Sequence, residues 1–350
     1  MRRALLAWYR RERRDLPWRR TRDPWAIWVS ETMLQQTRVE TVLPYYERFL
    51  ARFPDVEALA DAEPDELMKR WAGLGYYSRA RNLQAAARVV AREHGGRVPD
   101  QVEALRALPG VGRYTAGALA SIAFDRPAPI VDGNVARVLA RLLDLPLDVA
   151  SPAAQRLLWS EAGALVTGPT PGDLNQALME LGALVCTPRA PGCERCPLRR
   201  PCRGRAAGHA EALPVKSAKP APRAIAAVAA LLTRGARVLA VRRPPRGLLG
   251  GLWELPGGDL APDEAPAQGL ARVLRERIGL TPTHVTRAGE LTHGFTHRTL
   301  RLHVFRARAP AGRVRLHDLD AHRWLAPAAL EELALSALAK KALALVHAGG

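Results

Sequence analysis

The four cysteines of this 350-residue chain fall within seventeen residues, as Cys186-x6-Cys193-x2-Cys196-x5-Cys202, and that crowding constrains the fold more than any other feature. Pro188, Pro191, Pro197 and Pro201 are interleaved with them, and each removes a backbone N–H from helix or sheet pairing, so the segment reads as a loop wound about its thiols. A thiol cluster in an intracellular chain points to metal binding before disulfides. Four thiolates suit a 4Fe-4S cluster or a structural zinc, although zinc more often joins two close cysteine pairs across a longer gap.

The rest of the chain divides around this loop. A hydrophobic fraction of 48% is enough for real cores, and the length suggests two domains. Apolar residues recur at helical spacing in Val39, Val42 and Tyr46, in Leu83, Ala86, Ala87 and Val90, and in Val135, Val138, Leu139 and Leu142. The Gly-, Ala-, Pro- and Lys-rich stretch that ends in Lys219-Pro220-Ala221-Pro222 reads as an extended linker. Beyond it, 225–232, 237–241, 290–292 and 299–305 read as strands and 265–278 as a helix. The expected organisation is a multi-domain chain: an all-α domain over 1–203, a linker over 204–223 and an α+β domain over 224–350. A net charge of +18 makes nucleic acid the leading partner class. Charge alone does not decide this, since an Arg- and Ala-rich composition also follows from genomic base content. The Arg-rich start lacks the apolar run of a signal peptide, and no uncharged stretch approaches the roughly 18–20 apolar residues of a membrane span, so a soluble, intracellular protein is expected.

Three segments carry chemistry. In Leu108-Pro109-Gly110-Val111-Gly112-Arg113-Tyr114-Thr115-Ala116, Gly110 and Gly112 permit the positive φ of a tight hairpin and let a phosphate approach backbone N–H groups at a helix start. Asp132, in Ile130-Val131-Asp132-Gly133-Asn134-Val135, is placed either as a helix N-cap or as a carboxylate that stabilises developing positive charge on a sugar; both hold together without conflict. Glu31, in Trp28-Val29-Ser30-Glu31-Thr32-Met33-Leu34-Gln35-Gln36-Thr37, sits among apolar residues near a helix start. There it is either a partner of the helix dipole or a carboxyl whose burial keeps it protonated for acid catalysis.

The Leu-Pro-Gly-Val-Gly hairpin and the aspartate that follows it resemble the helix-hairpin-helix superfamily of DNA glycosylases, and the Glu31 segment closely resembles adenine DNA glycosylases of the MutY family. The resemblance implies that Glu31 protonates adenine, that Asp132 stabilises the sugar, and that Tyr114 and Asn134 orient the two carboxylates. Relatives similar to endonuclease III carry a lysine amine at position 114, so Tyr114 implies a monofunctional enzyme that leaves an abasic site. It also implies that Gly110, Val111 and Gly112 hold the DNA backbone, that Trp18 and Arg19 help enclose the adenine, and that Gln36 and Thr37 contact the opposite base. Tyr76, in Gly73-Leu74-Gly75-Tyr76-Tyr77-Ser78-Arg79, would wedge into the stack, and Gln176 would meet the adenine edge. The compact cysteine loop resembles the iron-sulfur loop of the same relatives, which makes Cys186, Cys193, Cys196 and Cys202 ligands of a 4Fe-4S cluster. From Gly258 onward the chain resembles a Nudix box that keeps Glu264, Arg272, Leu274, Glu276, Gly279 and Leu280 but has Val273 and Arg277 where the box has acids, so diphosphate hydrolysis is not expected. Phe295, Thr296 and His297 fit the loop with which such a Nudix-like domain reads 8-oxoguanine. The implied function is removal of adenine opposite 8-oxoguanine or guanine in double-stranded DNA, by a monomer that works in the cytoplasm on the nucleoid and off the membrane. The alternatives are a bifunctional glycosylase and lyase for damaged pyrimidines, a Nudix nucleotide hydrolase with a DNA-binding appendage, and a non-catalytic lesion-binding protein.

Overall fold

Capping residues and prolines set where the helices begin. The computed structural model describes residues 1–217, 221–295 and 298–348 and divides into two compact units. The first comprises Met1–Asp61 and Asn82–Lys219, the second Ala62–Arg81 and Pro220–Gly350.

The first unit opens with α1 (Arg2–Glu12), whose Leu5, Leu6, Trp8 and Tyr9 form a buried stripe inside an arginine-rich sequence. In α2 (Pro24–Leu34) Asp23 accepts from the N–H groups of Trp25 and Ala26, and every residue from Trp25 to Met33 is buried, so this helix has no solvent face. There follow α3 (Val39–Arg52) and α4 (Val56–Ala60). The second unit's early segment holds α5 (Pro64–Trp71), and α6 (Ser78–Glu93) runs from that segment back into the first unit. Next come α7 (Val102–Ala107), α8 (Arg113–Ala118), which continues through a π-helical turn at Leu119–Ala123, and α9 (Gly133–Leu143). The helices end with α10 (Pro152–Val166), α11 (Pro171–Leu184) and the short α12 (Arg203–Ala206). Apolar faces of α1, α9 and α11 close one core, through Leu5, Trp8, Val135, Leu139, Leu174, Leu178 and Leu181, and Cys186, Cys196 and Cys202 pack against it.

The stretch expected to be an extended linker, 204–223, is packed over its first half. Helix α12 and a turn at Ala210–Ala212 precede the buried Leu213, whose carbonyl accepts from Arg141 Nε at 2.9 Å. Gly204 approaches so closely that a Cβ there would lie 2.8 Å from the Arg141 carbonyl oxygen. The sequence also placed Ala62–Arg81 in the helical domain, whereas it clusters with the second unit.

The second unit is a mixed sheet. Strands β1 (Arg223–Arg234), β2 (Arg237–Arg242), β3 (Trp253–Glu254) and β4 (Gly257–Asp259) precede α13 (Pro266–Ile278). Then follow β5 (Thr283–Gly294), β6 (Arg298–Arg308), β7 (Ala321–Leu325) and α14 (Ala337–Ala348). The order is β3-β2-β1-β6-β5, with β4 also paired to β1 and β7 to β2; β1 and β6 run parallel and the other pairs antiparallel. Leu270, Val273, Leu274 and Ile278 of α13 bury against Val228, Leu232, Leu239 and Phe305 of the sheet.

Candidate active site

Because α2 is buried on all sides, Glu31 is held away from solvent and is only 6% exposed. Burial pushes its carboxyl up to about 7, against the pull of a Tyr114 hydrogen bond; Asp132 adds to the rise and Arg19 opposes it. The Tyr114 hydroxyl, brought in at the start of α8, donates to Glu31 Oε2 at 2.8 Å and lies 3.2 Å from Met179 Sδ of α11. Tyr114 is itself held far above the ordinary phenol range by burial and by both carboxylates, so it stays a donor.

Asp132 caps α9. One carboxylate oxygen accepts from Val135 N–H at 2.7 Å and the other from Asn134 Nδ2 at 3.3 Å. Burial raises its pKa, while the Val135 and Asn134 hydrogen bonds and the Arg137 charge hold it down. Asn134 is fixed in turn: its Oδ1 accepts from Arg137 at 2.7 Å, and Arg137 donates also to the carbonyls of Gly182 (2.7 Å) and Cys186 (2.8 Å). A Cβ on Gly182 would lie 2.6 Å from Asn134 Cβ, so α11 abuts α9 only because residue 182 has no side chain. The cap reading of Asp132 is thus observed, and the cap leaves the carboxylate within electrostatic reach of Glu31. Burial favours the protonated form of both carboxyls, and at Asp132 the hydrogen bonds from Val135 and Asn134 oppose it.

The other expected residues are placed unevenly. Gln176 is buried on α11, one turn before Met179. Trp18 is a core residue, edge-on to Tyr46 at 5.2 Å. The guanidinium of Arg19, expected to help enclose the adenine, is held by Glu180, which the sequence reading did not single out. Gln36 is exposed in a left-handed conformation (φ 59°) just past α2, with Thr37 beside it, and Gln35 donates to Thr115 Oγ1 at 3.3 Å. In the hairpin only Gly110 has positive φ (74°), and a Cβ there would come within 2.5 Å of Asn82 Cβ. Gly112, expected to need the same freedom, is extended at φ −84° and has open space where a Cβ would go. Val111 is buried between them.

The four cysteines line one cavity with Val138, Leu142, Leu181 and Leu198. Among the described residues no three His, Cys, Asp or Glu side chains converge as ligands of a single ion. Burial pushes the Cys196 thiol up to about 11 and raises that of Cys202, so positive charge is needed to keep these sulfurs as thiolates. Arg141, wholly buried on α9, donates to Cys186 Sγ at 3.3 Å and to the carbonyls of Thr187 and Pro188.

In the second unit Tyr76 is exposed, with φ 45°, and Arg79 lies over its ring, whereas Tyr77 is core. Phe295 stacks edge-on with His293 at 4.7 Å; Thr296 and His297 lie outside the described residues. At the Nudix-like box Arg272 binds both oxygens of Glu264 at 2.7 Å and reaches Glu276 at 2.9 Å, Val273 is buried in the core, and Arg277 donates to the Gly257 carbonyl and pairs with Asp318. No helix among the described residues is long and apolar enough to cross a membrane.

Two families of known proteins match separate stretches of the chain, the first of them running through residues 62–81. Residues 29–161 match the HhH-GPD superfamily of base excision DNA repair proteins, and residues 227–345 match the NUDIX domain. The adenine DNA glycosylase of Homo sapiens is 40% identical over 358 residues, which cover 86% of this chain and 66% of the relative. That of Rattus norvegicus is 39% identical over 394 residues, covering 97% of this chain and 76% of the relative. The chain thus spans about two thirds to three quarters of these relatives' lengths. Among solved structures, a thermostable thymine-DNA glycosylase superposes with a TM-score of 0.55 at 34% identity, over 59% of this chain and 95% of that one.

Proposed function

The chain belongs to the adenine DNA glycosylase family, and from that premise we propose that it removes adenine mispaired with 8-oxoguanine or guanine from double-stranded DNA, as a monofunctional glycosylase. The observation that carries the reading is the buried Glu31 carboxyl, hydrogen-bonded to Tyr114 and within electrostatic reach of Asp132. Glu31 gives its proton to the flipped purine, the bond from C1′ to the base breaks, and adenine leaves as a neutral molecule. Asp132 stabilises the positive sugar electrostatically. Water then supplies hydroxide to C1′ and releases one proton. Tyr114 holds Glu31 by hydrogen bonding and offers no amine to attack the sugar, so the strand is left uncut.

Gly110, Val111 and Gly112 present backbone N–H groups to phosphate, and Gln36, Thr37, Tyr76 and Gln176 meet the DNA around the lesion. Phe295, Thr296 and His297 read the base opposite. The Nudix-like unit serves recognition and not hydrolysis, since Arg272 already binds the two acids that the box retains. The arrangement of four cysteines around one cavity suits a 4Fe-4S cluster held by Cys186, Cys193, Cys196 and Cys202. Such a cluster would cross-link the loop that Arg137 and Arg141 tie to α9. An iron and acid-labile sulfide assay is expected to give about four of each per chain; zinc alone overturns the assignment. We place the enzyme as a monomer in the compartment that holds the chromosome. Borohydride added during turnover is expected to trap no enzyme-DNA adduct, with an abasic site as the product. Efficient trapping with strand scission would establish the lyase reading instead.

A further inference from the structure

Glu180 is 1% exposed at its side chain and carries two arginines. Arg19 binds both of its oxygens at 2.8 Å, and Arg14 binds the same two at 3.0 and 2.8 Å and adds its backbone N–H at 2.8 Å. The Arg19 side chain is itself 9% exposed and donates back to the Arg14 carbonyl, so its charge is fixed inside the protein. Glu180 follows Met179, the residue against the Tyr114 hydroxyl, so one turn of α11 faces both the Glu31–Tyr114 pair and the arginine pair. The charged and titratable groups facing Glu31 are Tyr114 from α8, Asp132 from α9 and Arg19 from the turn before α2. Those facing Glu180 are Arg14 and Arg19, with Glu40 of α3 acting on Arg14. Burial works against the Glu180 charge, but the two arginines overcome it and hold the carboxyl down to about 2, so it is ionised throughout the working range.

Arg19 is therefore a buried cation near an acid that must stay protonated, and an unneutralised guanidinium there would favour the glutamate's charged form. We propose that Glu180 is a positioning residue that claims the Arg19 guanidinium and offsets its charge, so that the Glu31–Tyr114 pair does not face an unpartnered cation. The inference rests on the reading of Glu31 as the acid. It adds that the pH range of that acid is set from α11 by a residue that does not touch the substrate.

The test uses the full chain with its metal bound, in the parent and in Glu180→Gln, Arg19→Gln and the double variant. Two readouts are followed: the side-chain 13C carboxyl resonance of Glu31, assigned by its loss in Glu31→Gln, and the pH profile of single-turnover adenine release. In Glu180→Gln the Glu31 midpoint is expected to fall by about one pH unit, a roughly tenfold loss of rate at pH 8 that disappears at pH 5.5. In Arg19→Gln it is expected to rise, and in the double variant, which keeps the parent's net charge through Arg14, to return towards the parent, whatever the rate amplitude. The Arg19→Gln arm stands by itself if Glu180→Gln does not fold. Loss of rate at every pH with an unmoved Glu31 midpoint would reduce Glu180 to a tether of residues 14–19 and overturn the proposal. If the carboxyl midpoints move as stated but the parent releases no adenine, the functional reading fails and the electrostatic inference stands.

Discussion

Burial of Glu31 both supplies the acid and destabilises the fold at high pH. Its folded-state value of about 7 lies above the ordinary 4.5, so the folded chain binds the proton more tightly than the unfolded one. The contribution is fully present below about 4.5 and is lost as pH rises through 7, with a total loss of about 3 kcal/mol. Glu31→Gln is therefore expected to abolish adenine release and to melt above the parent at pH 8.5, with the gap narrowing towards pH 5. A pH-independent difference in thermal denaturation would contradict this. Asp132→Asn keeps an oxygen for the Val135 N–H but loses the charge. Excision should fall by about a hundredfold or more while the melting temperature barely moves, which single-turnover rates and calorimetry check together. The position of Asp132 and its capping role were legible in the sequence because capping is local. Arg19 was not legible in this way, because its partner Glu180 lies 161 residues away and only tertiary packing joins them.

At the scale of elements, α11 organises the site. Gln176, Met179, Glu180 and Gly182 face the buried side of one helix, and the last three meet Tyr114, Arg19 and Asn134. Gly182→Ala should drive α11 from α9 at Asn134, cost about 1–3 kcal/mol, and slow excision more than it weakens DNA binding. An unchanged excision rate would show that Asn134 does not set the Asp132 geometry. The long helices with clear periodicity, α3, α6 and α9, were readable in advance, as were β1, β2, β6 and α13. Helix α1 was hidden because its buried stripe is set among arginines, and β3, β4 and β7 are too short for any period to show. Gly110 fits the hairpin rule, whereas Gly112 is extended and needs no positive φ.

For the molecule as a whole, the composition of the second unit was the least predictable feature. Asp65 and Lys69 of α5 pair with Arg242 and Glu332, and Arg81 donates to the Gly250 carbonyl, so the segment that carries Tyr76 depends on residues far along the chain. Ending the chain after residue 217 removes these partners together with the Phe295 loop. The preference for adenine opposite 8-oxoguanine over adenine opposite guanine should then collapse, while residual excision opposite guanine survives. An unchanged preference would place lesion reading wholly in the helical unit. The central claim is tested most directly by single-turnover release of adenine from duplexes with adenine opposite 8-oxoguanine, guanine or thymine, using the parent, Glu31→Gln and Asp132→Asn. The account predicts fast release opposite 8-oxoguanine, slower release opposite guanine, essentially none opposite thymine, and loss in both variants. Variants that match the parent, or a parent that never releases adenine, would contradict it.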